Sequence, residues 1–330
     1  MKRLINKKRI SKMIIFCAVL IFILNVLTAL LRPKTSHGIK QSLYMYSQPH
    51  NTIDVAFMGS SHVHCDINTK QIWEDYGIAG YNYSAAEQPL WITYYYLKEL
   101  CKNQNPKLVV LDLYSPARYT EDYQYKWLAD NLNGVRFSIN KIKMVNSACE
   151  SDRIFSYFPS FFNFHSRYDE IGVTDIKELF VSNNAKKAFK GYTPYTNIAE
   201  VDEPNVDYTV VGELTPKSEE YLYKIIDYTK ENDIDLYFIV APYCVTTEDE
   251  AVYNKIKEIA ADNDIKYTDD YYFIKAAGID YSTDLNDLSH LNFNGSCKFS
   301  KVLADEIKKD FEIPDRRGNK KWESWDRQQY

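Results

Sequence analysis

Residues 53–61 read Ile-Asp-Val-Ala-Phe-Met-Gly-Ser-Ser, a mostly apolar run that ends at a glycine and two serines. A short apolar run of this kind is typical of a strand that is buried on both faces. The glycine at position 59 allows the backbone to turn sharply directly after it. The stretch therefore predicts a strand, a tight turn and a helix start, with Ser61 at the carboxyl end of the strand, where parallel sheets present functional residues.

Short apolar strands alternate with helical stretches along the rest of the chain. Further strands are expected at residues 80–84, 107–114, 236–241 and 265–267, and helices at residues 69–76, 89–103, 216–232, 249–263 and 294–311. This alternation is typical of a parallel, doubly wound sheet. We therefore expect an α/β domain over residues 52–313, with a mostly helical, aromatic insertion at about residues 115–205 and a charged tail at residues 314–330.

The N-terminal region has the composition of a membrane anchor. Residues 13–31 carry no charge and, as a helix that rises about 1.5 Å per residue, are long enough to cross a bilayer. Six Lys and Arg precede this run within residues 1–12, which predicts a cytoplasmic N-terminus and an extracellular chain after a stalk at residues 32–51. The alternative is a cleaved signal peptide, which needs a shorter apolar core and a better small-residue cleavage site.

The chain beyond this run is acidic. Residues 1–34 hold eight of the 40 Lys and Arg and no acidic residue, so the remainder has 32 basic against 45 acidic side chains and a net charge of −13. A domain this acidic is not expected to bind nucleic acid or anionic lipid. The six cysteines are scattered and lack the spacing of a disulfide scaffold or a zinc ribbon.

Two segments carry groups suited to nucleophilic chemistry. Ser61 is expected at a helix start, where backbone amides can hold a developing oxyanion. Residues 287–290 read Asp-Leu-Ser-His, and an Asp three residues before a His can fix the tautomer of the imidazole. Each segment alone also has an ordinary structural interpretation, with Ser60 and Ser61 as helix caps and His290 as a buried, hydrogen-bonded loop residue.

Together the two segments resemble the first and last sequence blocks of the SGNH (GDSL-like) hydrolase superfamily, over residues 50–115 and 215–310. In that superfamily the nucleophilic serine follows Gly-x in an N-terminal strand–turn–helix, and Asp-x-x-His stands near the C-terminus. The resemblance implies a three-layer α/β/α sandwich with a flavodoxin-like parallel sheet. It also implies a triad of Ser61, His290 and Asp287, for which Asp284 is the rival orienting carboxylate.

The middle blocks of the superfamily match less well. Ser84 stands nearest the oxyanion-hole glycine of the second block, and its backbone amide and that of Ser61 are the expected oxyanion donors. No asparagine of the third block follows the strand at residues 107–114, which leaves Asn82 as the stand-in side-chain donor. In this departure the chain resembles membrane-anchored proteins of cell-envelope acylation, including the D-alanine transfer protein of teichoic acids and the alginate O-acetylation proteins.

The resemblance implies acyl transfer through a serine nucleophile, with water or a sugar hydroxyl as the acceptor. The expected substrates are small acyl esters, or acetyl or D-alanyl-like esters of a cell-wall or capsular glycan. A multi-spanning membrane O-acyltransferase is the expected partner by analogy. The alternative is a non-catalytic scaffold or binding subunit of such an acyltransferase complex.

Two other features have competing interpretations. His62, His64, Cys65 and Asp66 could ligate a metal ion, but no second cluster in the sequence supplies further ligands, so neither a metal nor a cofactor is expected. The aromatic run at residues 161–165 fits core packing, a sugar-binding or acyl-binding wall of the cleft, or contact with a membrane surface, and the sequence leaves all three open.

Overall fold

The computed structural model describes residues 7–34 and 37–328 of the chain. These residues form two compact units. The N-terminal unit consists of residues 7–34 together with Ser151–Val181, and the sheet unit consists of the remaining described residues.

The sheet unit is built on five parallel strands. In chain order these are β1 (Val55–Gly59), β2 (Gly80–Ser84), β3 (Leu108–Asp112), β4 (Asp235–Ile239) and β5 (Lys266–Thr268). Their spatial order is β2-β1-β3-β4-β5, and every neighbouring pair is parallel. This is the flavodoxin-like order of doubly wound sheets. The predicted parallel α/β fold is confirmed, and β1, β2 and β3 are buried along their whole length.

The described residues contain fourteen α-helices and four 3-10 turns. The helices are α1 (Lys7–Leu31), α2 (Ile39–Met45), α3 (Ser61–Asp66), α4 (Thr69–Tyr76), α5 (Leu90–Leu100), α6 (Tyr114–Arg118), α7 (Leu128–Asn133), α8 (Ile139–Ala148), α9 (Val173–Leu179), α10 (Asn183–Ala188), α11 (Pro216–Glu231), α12 (Thr247–Asp262), α13 (Asp270–Ala277) and α14 (Phe293–Asp310). The 3-10 turns lie at Ile154–Tyr157, Ser160–Asn163, His165–Asp169 and Lys320–Trp322.

Helices cover both faces of the sheet. Val55 and Phe57 of β1 belong to a buried cluster that includes Phe299 and Leu303 of α14, so α14 covers one face. Successive side chains of a strand point to opposite faces, and helices α5 and α11 contact each other and the strands on the other face. Each fully buried side chain of this size contributes about 1.5–3 kcal/mol, so the two layers hold the strands firmly in register.

The stretch expected as a stalk differs in the structure. Helix α2 lies inside the sheet unit, and its Gln41 is fully buried. The Tyr81 hydroxyl of β2 donates a hydrogen bond to the Gln41 carbonyl at 2.7 Å. A helix of two turns is too short for apolar periodicity to reveal it in a sequence, which explains the difference.

The C-terminal tail packs on the rest of the sheet unit. The indole N–H of Trp322 donates to the Thr52 carbonyl at 2.8 Å, and that of Trp325 donates to the Gly80 carbonyl at 3.2 Å. Arg316 makes two hydrogen bonds of 2.8 Å to the carboxylate of Asp54. These contacts hold the tail against the residues that lead into β1 and β2.

The aromatic insertion is divided between the two units. Ser151–Val181 belongs to the N-terminal unit, and the rest belongs to the sheet unit. Its five α-helices, α6 to α10, are five to ten residues long. The expected helical character is therefore present only as short pieces joined by turns and by a largely irregular stretch at residues 189–215.

Helix α1 is unlike the others because nearly all of its apolar side chains are exposed. Within its 25 residues only Thr28 and Leu31 are buried. Among the described helices it is the one that is long and apolar enough to cross a membrane, and its position near the N-terminus also fits a signal sequence.

Gly59, at the turn after β1, has a conformation and surroundings that suit only glycine. Gly59 has φ of +148°, and a Cβ placed there would lie 3.0 Å from both Asp112 Cβ and Val63 Cγ2. We expect Gly59→Ala to lower the free energy of unfolding by about 2–4 kcal/mol through backbone strain and crowding. The measurement is urea denaturation of the full chain in detergent, followed by circular dichroism.

Gly278→Ala is the matched control for this prediction. Gly278 has φ of +62°, but a Cβ there meets no atom within 4 Å. This variant should lose only about 1 kcal/mol from the left-handed backbone conformation. Equal losses in the two variants would contradict the crowding argument at Gly59.

Candidate active site

The carboxyl ends of the central strands converge on one edge of the sheet. Gly59 of β1 pairs in register with Ser84 of β2, and Met58 pairs with Leu111 near the end of β3. Helix α3 begins at Ser61, two residues after β1 ends. The side chain of Ser61 is therefore placed at the edge where doubly wound sheets carry their binding sites.

The structure brings Ser61, His290 and Asp287 together. His290 Nε2 lies 2.9 Å from Ser61 Oγ, and His290 Nδ1 lies 3.0 and 3.1 Å from the two carboxylate oxygens of Asp287. With the ring proton on Nδ1, facing the carboxylate, the lone pair of Nε2 faces the serine hydroxyl. This geometry fits a serine nucleophile, a histidine base and an orienting carboxylate.

Asp287 also organises the loop that carries His290. Its Oδ1 accepts hydrogen bonds from the backbone N–H of Ser289 at 2.8 Å and of His290 at 3.0 Å, and its Oδ2 accepts one from the Asn286 amide at 2.8 Å. Partial burial opposes ionisation of Asp287, but its contacts with His290, Ser289 and Asn286 outweigh burial and hold its pKa well below the usual range. The carboxylate is therefore ionised at neutral pH.

The rival carboxylate, Asp284, has other partners. Its Oδ2 accepts hydrogen bonds from the Lys298 ammonium at 2.5 Å and from the backbone N–H of Asp280 at 2.8 Å. The side chain is buried within this ion pair. The geometry therefore favours Asp287 over Asp284 as the partner of His290.

A buried carboxyl group, which the sequence marks only as a possible metal ligand, ties the two halves of the site together. Asp66, the last residue of α3, accepts a hydrogen bond from the backbone N–H of Leu291 at 2.9 Å. It thereby links the helix that begins with Ser61 to the residue after His290. Burial raises the pKa of Asp66 well above its usual value. We infer a positioning role for this residue, which the sequence indicates only as a possible metal ligand together with His62, His64 and Cys65.

The two histidines of α3 have different surroundings. His62 is fully buried and stacks on Tyr114 with ring centroids 3.9 Å apart, while His64 Nδ1 lies 3.0 Å from Ser84 Oγ. Burial lowers the pKa of both imidazoles well below their usual value, so both are neutral. Among the described residues no three His, Cys, Asp or Glu side chains are placed to hold a metal ion.

The predicted oxyanion donors have other partners in the structure. The Asn82 side-chain amide donates to the backbone carbonyls of Val63 and Ile67, both at 2.8 Å, and so fixes the end of α3. The backbone N–H of Ser84 donates to Gln41 Oε1 at 2.9 Å. To bind an oxyanion, Ser84 would have to release this glutamine. The Ser61 amide is at the first position of α3, where helical amides have no partner within the helix.

Gln41 is a second residue near the site that sequence reasoning missed. Its side-chain amide also donates to the Gly191 carbonyl at 2.8 Å, so it joins α2, β2 and the irregular stretch in the last part of the insertion. No local pattern marks this glutamine, because its partners are far away in the sequence.

Tyrosines line the region around His290. The ring of Tyr195 packs edge-on against His290 with centroids 5.4 Å apart, and the Tyr114 hydroxyl donates to Ser289 Oγ at 3.3 Å. Arg118 extends over the Tyr114 ring and forms an ion pair of 2.6 Å with Asp249. The site therefore has broad apolar faces with hydroxyl groups at their edges.

No protein-family model matches the chain, and no curated protein matches its sequence. Among solved structures the chain is similar to a protein of Bacteroides fragilis NCTC 9343 described as a candidate acylhydrolase, with 13% identity and a TM-score of 0.38 over 79% of this chain and 90% of that one. It is also similar to a gut microbial diltiazem-metabolizing enzyme, with 13% identity and a TM-score of 0.27 over 79% of this chain and 47% of that one. Identities and TM-scores this low do not assign the chain to a family.

Asp112 makes the free energy of unfolding dependent on pH. Its carboxylate oxygens accept hydrogen bonds from the backbone N–H of Ala241 at 3.2 Å and of Tyr114 at 3.3 Å. Burial nevertheless raises its pKa from 3.8 to about 7. The folded state therefore binds this proton more tightly than the unfolded state, and the resulting stability is lost as pH rises from about 4 through about 7.

We expect Asp112→Asn to flatten the pH dependence of unfolding in this window, because the amide does not titrate. The measurement is the urea midpoint of the full chain at several pH values between about 4.5 and about 7.5, compared with the unchanged protein. The unchanged protein should lose more stability with rising pH than the variant. Parallel pH profiles would show that Asp112 does not titrate in this range.

Because Asp287 and Asp284 have different partners, their replacement should change the reactivity of Ser61 to different extents. Asp287→Asn should slow the labelling of Ser61 by a fluorophosphonate about 100-fold or more, because His290 loses the group that orients it. Asp284→Asn should slow labelling far less and act mainly on stability through the lost Lys298 pair. Labelling rates and thermal midpoints of both variants test this, and a larger rate loss in Asp284→Asn would reverse the assignment.

Proposed function

We propose that the chain is a membrane-anchored serine esterase or O-acyltransferase that acts outside the cell on acyl esters through Ser61, His290 and Asp287. The observation that carries the proposal is the continuous set of contacts of about 3 Å from the serine hydroxyl through the imidazole to the carboxylate. The motif resemblance to SGNH hydrolases supports the same chemistry.

In the first half of the proposed reaction, Ser61 Oγ attacks the acyl carbon while His290 Nε2 takes the hydroxyl proton. The negative charge that develops on the acyl oxygen is stabilised by the backbone amide of Ser61. His290 then gives its proton to the departing oxygen, and the acyl group stays on the serine.

In the second half, water or a sugar hydroxyl attacks the acyl-serine. His290 takes the proton of the attacking group and returns one to Ser61 Oγ as the ester bond to the serine breaks. Asp287 remains ionised throughout and stabilises the protonated imidazole. Hydrolysis and transfer differ only in which acceptor enters, so both use the same residues.

The residues around the triad support its orientation. Asp66 holds the backbone beside His290, and His62 stacks on Tyr114 as a neutral ring with its centroid 5.4 Å from that of His290. A neutral His62 adds no positive charge next to the imidazolium that forms during the reaction. This environment favours proton transfer from Ser61 to His290.

The substrates that we propose are acetyl or D-alanyl-like esters of a cell-wall or capsular glycan. The aromatic faces of Tyr114 and Tyr195 next to His290 are suited to a sugar ring. We further propose that helix α1 holds the site at the outer face of the membrane, where a multi-spanning O-acyltransferase would supply or accept the acyl group. A non-catalytic scaffold would have no need for three side chains in this arrangement.

Hydrolysis of p-nitrophenyl acetate by the full chain in detergent tests the proposal. Ser61→Ala should reduce activity at least about 1,000-fold and abolish labelling by a fluorophosphonate, because the attacking oxygen is gone. Thermal midpoints of the two proteins should be similar, since the serine is only partly buried.

Ser60→Ala is the matched control. Ser60 is the adjacent, fully buried serine, and its Oγ has no hydrogen-bond partner among the described residues. This variant should keep both hydrolysis and labelling. If none of the three proteins hydrolyses the ester and none is labelled, the esterase proposal fails, and a partner-dependent transferase or the scaffold alternative takes its place.

A further inference from the structure

Helix α1 and Ser151–Val181 pack together in the N-terminal unit. The contact involves the last turns of α1, where Thr28 and Leu31 are its two buried residues. The turn Ser160–Asn163, the turn His165–Asp169 and helix α9 provide the other side. The segment therefore lies beside the end of the apolar helix and leaves the rest of that helix uncovered.

Charged groups surround the end of α1. Arg167 donates a hydrogen bond to the Leu31 carbonyl at 2.7 Å, and the Lys34 ammonium donates to the Ala29 carbonyl at 2.7 Å and the Arg32 carbonyl at 2.8 Å. Both cations also approach Asp175, at 3.6 and 3.9 Å. Cations are favourable at the carboxyl end of a helix. If α1 crosses a membrane, these groups mark the depth at which the hydrocarbon ends.

Helix α9 leaves its apolar residues exposed, together with Thr174 and Lys177. Its acidic Asp175 is buried, with 5% exposure, whereas Val173, Ile176 and Leu179 are all exposed. These three positions are three residues apart and therefore form one stripe on the helix. The next residue, Phe180, is 81% exposed. Of the two acidic residues of α9, Asp175 is buried and Glu178 is half-buried, so the exposed apolar stripe, and not an acidic surface, is what this helix presents on that side.

Further aromatic side chains of the segment are also exposed. Phe155 is 80% exposed, and Phe162 and Tyr168 are exposed by more than half. Exposed apolar groups at this density are unusual on a surface that faces water. Phenylalanine, tyrosine and apolar helix stripes are typical of the boundary between headgroups and acyl chains.

We propose that Ser151–Val181 is a membrane-surface element that inserts the apolar stripe of α9 and the exposed aromatic side chains into the lipid leaflet in which α1 ends. The proposal rests on the anchoring role of α1 proposed above and goes beyond it. It assigns a lipid-binding surface to a part of the insertion that takes no part in the proposed chemistry. The N-terminal unit then contacts lipid in two ways, through the membrane-spanning helix α1 and through Ser151–Val181 at the membrane surface.

The charge of the segment specifies the kind of lipid contact. Residues 151–181 hold five acidic and three basic side chains, so anionic headgroups would not attract them. Binding is therefore expected to depend on the insertion of apolar side chains and to occur in uncharged phosphatidylcholine. Sensitivity to salt should be low, since no net attraction between charges is involved.

Photocrosslinking of the full chain in phosphatidylcholine nanodiscs tests the proposal. Benzoylphenylalanine replaces Phe155 or Phe180 in separate proteins, and the mass of the chain after irradiation reveals lipid adducts. Both positions are so exposed that the larger ring should not disturb the fold. We expect lipid adducts at both positions, in yields comparable with those at Phe22 of α1, which is 68% exposed.

Phe137 of the sheet unit is the matched control, because it is also a phenylalanine and is 77% exposed. Adducts at Phe155 and Phe180 should exceed those at Phe137 several-fold. Equal yields at these three positions, or adducts to a second copy of the chain in place of lipid, would overturn the proposal. The position at Phe22 tests the membrane-spanning role of α1 separately. Adducts at Phe22 without adducts at Phe155 and Phe180 would support α1 as the anchor and contradict lipid insertion by Ser151–Val181.

Discussion

The hydrogen bond from the Leu291 backbone to the Asp66 carboxyl group joins the two elements that carry Ser61 and His290. Ser61 and His290 are far apart in the chain: Ser61 begins a helix of six residues, and His290 lies in the loop that precedes α14. Asp66 lies at the end of the helix that Ser61 begins, and Leu291 is the residue directly after His290. Because this bond is fully buried, it is shielded from competition with water and holds the two elements together.

The parallel sheet positions the elements around this contact. Parallel strands bring all their carboxyl ends to one edge, so the turn after β1 and the loops after β3 and β4 meet there without any special arrangement. Asp112 adds a polar contact at this edge, because its carboxyl oxygens accept hydrogen bonds from backbone N–H groups after β3 and after β4. The edge is thus fixed by buried polar contacts as well as by apolar packing.

The regular elements of the fold could be predicted because their signals are local. Each predicted strand and helix of the sheet lies within a few residues of an observed one, and the serine, aspartate and histidine stand in motifs that a single sequence displays. Gln41 could not be predicted in the same way, since it occupies the Ser84 amide from a helix of only seven residues. The division of the insertion between two units likewise depends on tertiary packing against α1, which leaves no periodic pattern.

That division changes how the sheet unit is connected to the helix at the N-terminus. The polypeptide passes between the units three times, after Lys34, after Glu150 and after Val181. A protease that cut the chain once near residue 35 would separate α1 covalently from the sheet unit, but Ser151–Val181 would still be packed against α1 and still be continuous with the sheet unit on both sides. Release of the sheet unit from α1 therefore requires either two further cuts or the unfolding of the N-terminal unit.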